Sequence, residues 1–149
     1  MEFSFGSLLT QADAIPWIPL GPGEAFKPLR FLSGNRGRIL LLRLDPGCVV
    51  PPHRHTGDVH AFNLVGSREL IDSGEIVGPG DYVYEPAGNA DTWRAIGDGP
   101  CTVFIVTRGV MEYLDERGAV VQRDTTETMR DAYAEHCRAH GLEVVNLDG

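Results

Sequence analysis

The sequence predicts an all-β fold, a sandwich or barrel in one domain, with an irregular arm before it and one helix after it. Short runs with alternating side-chain character are separated by turn clusters, roughly every eight to twelve residues. Gly 18 and Pro 10 in a chain of 149 residues supply those turns. Only near the C-terminus does the apolar period lengthen from that of a strand to that of a helix.

Residues 1–30 read as the arm, rich in Pro and Gly and anchored by Trp17, Ile18 and Phe26. Residues 31–123 read as the barrel. Its segment 38–44 (RILLLRL) is apolar on both faces, as a buried strand is, and stops at Asp45-Pro46-Gly47. Segment 59–65 alternates, with His60, Phe62 and Leu64 on one face and Ala61, Asn63 and Val65 on the other. Strands are expected at 67–72, 75–77, 81–85, 92–96 and 102–107, each bounded by Gly, Pro, Ser or Asp clusters. Residues 124–141 read as the helix. Asp124 is placed as its N-cap with Glu127 closing a capping box, and Gly141 as its stop. Met129, Ala132, Tyr133, His136 and Cys137 share one helical face.

The formal charge of −8 argues against nucleic acid and anionic membrane as partners, because both require a basic face. No apolar run approaches the roughly 18 residues of a membrane span. Cys48, Cys101 and Cys137 are odd in number and widely spaced, which fits reduced thiols and an expected cytoplasmic location.

The segment 51–62, PPHRHTGDVHAF, concentrates three of the five histidines at His53, His55 and His60. His-x-His spacing puts both rings on one side of a strand. A third histidine beyond the Thr-Gly-Asp turn is expected to return to the same point from the next strand. Three neutral imidazoles converging in this way form a site for a first-row divalent metal.

Two blocks in the chain resemble the paired signatures of the cupin superfamily. Gly47, His53, His55, His60 and Gly66 follow the first block, and Gly80, Pro86 and Gly88 the second. Asp91 stands where the second block has histidine, and Ala95 where it has asparagine. A narrower resemblance covers most of the chain through IPWIPLGPGEAFKPLRF, LLRLDPG, PPHRHTGDVHAFNLVG and GDYVYEPAG. These stretches resemble cupins related to 2,4′-dihydroxyacetophenone dioxygenase, acetylacetone-cleaving cupins and ChrR-type zinc-binding domains. The resemblance implies a jelly-roll barrel of two antiparallel sheets, a homodimer, and one divalent ion held by His53, His55 and His60, with Asp91 as fourth ligand. Fe(II) is the favoured ion, and the carboxylate admits Zn(II), Mn(II) or Ni(II). For the enzymes of that group it implies O₂-dependent cleavage of a C–C bond beside a carbonyl, here in a small hydroxyketone or diketone. ChrR-like domains imply a second class, a metal-binding sensor without turnover. A non-oxidative isomerase or hydrolase is a third.

Phe62 and Leu64 share the parity of His60 and are candidate walls of the substrate pocket. Tyr82, Tyr84 and Trp93 join them by strand parity. Glu85 points opposite to Tyr84 and reads as an outward charge. Arg43 interrupts an apolar strand, where a structural ion pair is preferred to a role in holding an anionic substrate. His136 and His140 lie at i, i+4 near a helix end, where the macrodipole explains them without a metal.

Overall fold

The computed structural model describes residues 6–149, so the first five residues of the expected arm lie outside it. Among the described residues, twelve strands form two six-stranded antiparallel sheets. In chain order they are β1 (Ile18–Gly21), β2 (Glu24–Leu32), β3 (Gly37–Leu44), β4 (Val49–His55), β5 (Val59–Val65) and β6 (Ser67–Leu70). They continue as β7 (Ile76–Val77), β8 (Tyr82–Glu85), β9 (Ala90–Ile96), β10 (Cys101–Arg108), β11 (Met111–Leu114) and β12 (Val120–Asp124). One sheet runs β1-β2-β3-β10-β5-β8 and the other β12-β11-β4-β9-β6-β7. This is the two-sheet jelly roll that the chain resembled.

Part of the expected arm is strand. β1 and β2 pair through Ile18↔Phe26, and β2 pairs with β3 from Glu24↔Leu44 to Leu32↔Gly37. Pro28 is accommodated at a shift of register, where the ladder does not need its missing N–H. Trp17 covers the outer side of this sheet. The guanidinium of Arg43 sits over its ring at 4.3 Å, so the charge inside RILLLRL stacks on an aromatic face rather than entering an ion pair.

Inward positions of β3 are Arg38, Leu40, Leu42 and Leu44, all buried. The three leucines cluster with Val50 of β4, Trp93 and Ala95 of β9, and Val103 of β10. The helix α1 (Thr126–Ala139) covers one edge of the fold through Met129, Tyr133 and Cys137. Its capping box lies one residue beyond the expected one. Thr125 is the N-cap, and its hydroxyl and that of Thr128 each accept from the other's backbone N–H, while Asp124 remains in β12. Gly141 closes the helix in the left-handed conformation, as expected. Residues beyond it return alongside β2, where Phe31 N–H donates to Leu147 and Gly149 N–H donates to Phe31. No described helix is long and apolar enough to cross a membrane.

Gly66 separates β5 from β6 and sends the chain from one sheet to the other. Its φ is +70°, and a Cβ there would stand 2.3 Å from the Pro100 carbonyl oxygen. Both strain and collision forbid a side chain. Gly66→Ala is expected to lower unfolding free energy by about 1–3 kcal/mol, read from chemical denaturation with an unchanged m-value.

Candidate metal centre

β4 lies inside its sheet between β9 and β11, with His53 opposite Asp91 on one side and Tyr113 on the other. Strand alternation turns His53 and His55 inward and Arg54 outward, where Arg54 pairs with Glu112 at 3.0 Å. The two imidazoles meet edge to face with centroids 4.9 Å apart. Both are nearly sealed from solvent, at 2% and 5% exposure.

The third member comes from the opposite sheet. Glu85 ends the edge strand β8, pairs with Val59 and is 8% exposed. Its Oε2 stands 3.8 Å from His55 Nε2. Ligand atoms of His53, His55 and Glu85 all lie within 4.8 Å of one another, so the three could hold a metal ion. The outward charge expected at Glu85 is therefore corrected. The parity was right, with Tyr82 and Tyr84 on one face and Val83 and Glu85 on the other, but the tyrosine face is the outer one.

His60 is not brought to this point. β5 begins at Val59, and its inward residues are Val59, Ala61 and Asn63. His60 consequently faces outward with a side chain 38% exposed, hydrogen-bonded to the Tyr82 hydroxyl and 3.6 Å from Asp58. Phe62, Leu64, Tyr82 and Tyr84 share this outer face and are exposed. Phe62 and Leu64 are thus corrected as walls of the interior cavity, because the parity they share with His60 carried them outward, and Tyr82 and Tyr84 line an outer cleft instead. Asp91 has inward parity on β9, but its Oδ1 accepts from the N–H of Thr92 at 2.8 Å. It lines an outer cleft with Glu75, Asp81, Glu85 and Asn89 and stands apart from the three-residue cluster. Trp93 is buried and lines the interior cavity.

That cavity measures about 60 Å³ and lies between the sheets. Leu40, Leu42, Trp93 and Met129 give it apolar walls beside the histidines. Arg38 and Arg68 also line it, each 2% exposed. The guanidinium of Arg68 lies 4.7 Å from the centroid of the Trp93 ring and donates to Asn63 Oδ1 at 3.0 Å. Sequence reasoning passed over both arginines as cavity residues and read Glu85 as facing outward. The one local signal was their place on the same strand faces as Leu40, Leu70 and Val83.

Electrostatics favour the neutral, metal-ready form of both histidines. His55 is pushed down to about 3, first by burial and then by the charges of His53 and Arg38. His53 is lowered chiefly by burial, against the hydrogen bond to the Pro51 carbonyl and the charge of Asp91. Its Nδ1–H donates to that carbonyl at 2.8 Å, which leaves Nε2 with its lone pair free. His55 Nδ1 is buried without a partner. Burial raises Glu85, while the Asn89 amide, donating to Oε1 at 2.9 Å, opposes that shift. A divalent cation would compensate the buried carboxylate and take up the lone pairs of the two neutral imidazoles, so the donor set fits a metal.

A model of the ChrR Cupin-like domain matches residues 6–111. The chain belongs to that family. The cupin fold recurs in an RmlC-like cupin protein from Ralstonia eutropha, 25% identical, with a TM-score of 0.91 over 97% of this chain and 95% of that one. An acetylacetone dioxygenase from Acinetobacter johnsonii is similar at 13% identity, with a TM-score of 0.75 over 91% and 95% of the two chains. A structure of Rhodobacter sphaeroides SigE in complex with the anti-sigma ChrR contains a chain 24% identical, with a TM-score of 0.56 over 65% of this chain and 51% of that one. Comparison with curated proteins returns no match.

Two consequences concern the metal-free protein. Between pH 6.5 and about 3 the unfolded chain holds a proton on His55 that the folded chain does not. Stability is therefore expected to fall as pH drops through that window, and His55→Gln should flatten the slope in urea titrations. Glu85 acts in the opposite direction, because the buried carboxyl resists ionising above its ordinary value of 4.5. Metal-free Glu85→Gln is expected to be more stable than wild type at pH 7, on the order of 1 kcal/mol, with the gain vanishing in acid.

Proposed function

We propose that this cupin is a metal-dependent, dioxygenase-like enzyme acting on a small hydroxyketone or diketone, with His53, His55 and Glu85 holding a single divalent ion. The observation that carries the reading is the convergence of two buried imidazoles and one buried carboxylate on the cavity between the sheets. Two histidines and one carboxylate with open positions are the donor set of non-haem Fe(II) oxygenases, so Fe(II) is the ion of choice. The fold shared with an acetylacetone dioxygenase supports the same substrate class. When bound, the ion would supply Lewis acidity toward a carbonyl oxygen and acidify the neighbouring proton.

The chain's own residues do the rest. Pro51 holds the tautomer and ring orientation of His53, and Asn89 orients the Glu85 carboxylate. Leu40, Leu42, Trp93 and Met129 keep water from the reacting carbonyl. Outside, the carboxylates of Glu75, Asp81 and Asp91 line the cleft that shares Glu85 with the cavity, a potential that draws a cation toward the site.

A second reading, a metal-binding sensor domain without turnover, is favoured by the match to the ChrR Cupin-like family. The two readings share the ion and differ in chemistry. Elemental analysis of protein purified without added metal is expected to find close to one divalent ion per chain. His53→Ala and Glu85→Ala should each weaken retention by at least about 100-fold, whereas Asp91→Ala should retain the ion. Anaerobic Fe(II) loading followed by O₂-uptake assays over diketones and hydroxyketones then separates the readings. Uptake supports the enzyme, and a fully loaded protein silent across the panel leaves the sensor.

A further inference from the structure

The cavity holds more positive charge than a neutral diketone would use. Arg38 enters from β3 and Arg68 from β6, so the two guanidiniums reach the same space from opposite sheets. Neither forms an ion pair among the described residues. Arg38 Nη1 donates to the Gly109 carbonyl at 3.2 Å and Arg68 Nε to Asn63. Arg38 Nε and Arg68 Nη2 are buried with no partner at all. Buried guanidiniums with unused donors are rare, because desolvation is costly unless an anion compensates it.

The surrounding charges do not cancel them. Within the cavity wall the acidic side chains are Glu85 and Asp124. Glu85 belongs to the metal cluster. With a divalent ion present, two guanidiniums and the ion outweigh those two carboxylates, and the interior stays positive even when Asp91 at the rim is counted. The negative charge lies outside, along the cleft.

We propose that the site takes a compact carboxylic acid bearing a keto or hydroxyl oxygen, its carboxylate held by Arg38 and Arg68 and its second oxygen directed to the His53–His55–Glu85 cluster. Arginine suits this role because its planar donors match a carboxylate, and the Trp93 ring beneath Arg68 keeps that plane in place. The inference rests on the metal-centre reading for the second oxygen and for the net positive charge of the interior, whereas the unused guanidinium donors that would hold the anion are present without it.

Calorimetric titration of the full chain with pyruvate and with acetoin, a neutral hydroxyketone of similar size, tests it in both metal-loaded and chelator-stripped protein. Pyruvate is expected to bind both forms, at least about tenfold more tightly than acetoin. Arg38→Met and Arg68→Met should each weaken pyruvate binding by at least about tenfold while metal content is unchanged. Arg38→Lys and Arg68→Lys, which keep the charge, should recover part of the loss and serve where the methionine variants fail to fold. Equal affinity for acetoin and pyruvate in wild type would overturn the proposal. So would pyruvate binding that vanishes on metal removal and ignores both arginine substitutions, since that is chelation alone. Pyruvate binding that survives metal stripping upholds the anion subsite even if Fe(II)-loaded protein consumes no O₂, an outcome that removes only the dioxygenase reading.

Discussion

A buried carboxylate from one sheet faces two buried imidazoles from the other, and the interior is organised around that opposition. Glu85 and His55 approach to 3.8 Å without either being in its favoured charge state for a metal-free ion pair. Burial lowers the histidine's proton affinity and raises that of the glutamate, so the same low dielectric disfavours the charged form of each. A cation resolves both at once. The fold therefore carries a local instability that ligation relieves, the usual signature of a site kept for function rather than for packing.

Residues around this gap hold it open. β4 is fixed between β9 and β11, so the histidine pair sits on a rigid interior strand. Glu85 instead ends a four-residue edge strand, tied down by Val59 on its ladder and Asn89 through its side chain. One half of the cluster thus sits on an interior strand and the other at a sheet edge. Met129 from α1 reaches the same cavity, which links the helix and its Thr125–Thr128 cap to the closure of the site.

The face first expected to line the pocket has a different character. His60 stacks with Tyr82 and tilts against Tyr84, beside exposed Phe62 and Leu64 on the outer side of the β5–β8 pair. Tyr82 and Tyr84 line the outer cleft that also reaches Glu85, while the interior cavity is left to aliphatic walls, Trp93 and two arginines.

Strand alternation, turns, the late switch to a helical period and the His53-x-His55 pair were legible from sequence alone, because each is set by residues within a few positions of one another. The two cupin blocks were legible for the same reason, being local spacings around required glycines such as Gly66. What tertiary structure alone decided was which parity of each strand faces inward. A strand has two faces of equal standing until another sheet packs on one of them, and that choice is made by partners far away in the chain. It turned His60 out, turned Glu85 in from thirty residues beyond His55, and brought Arg38 and Arg68 together from different sheets. The histidine pair located the site, and the packing of one sheet on the other chose its remaining members.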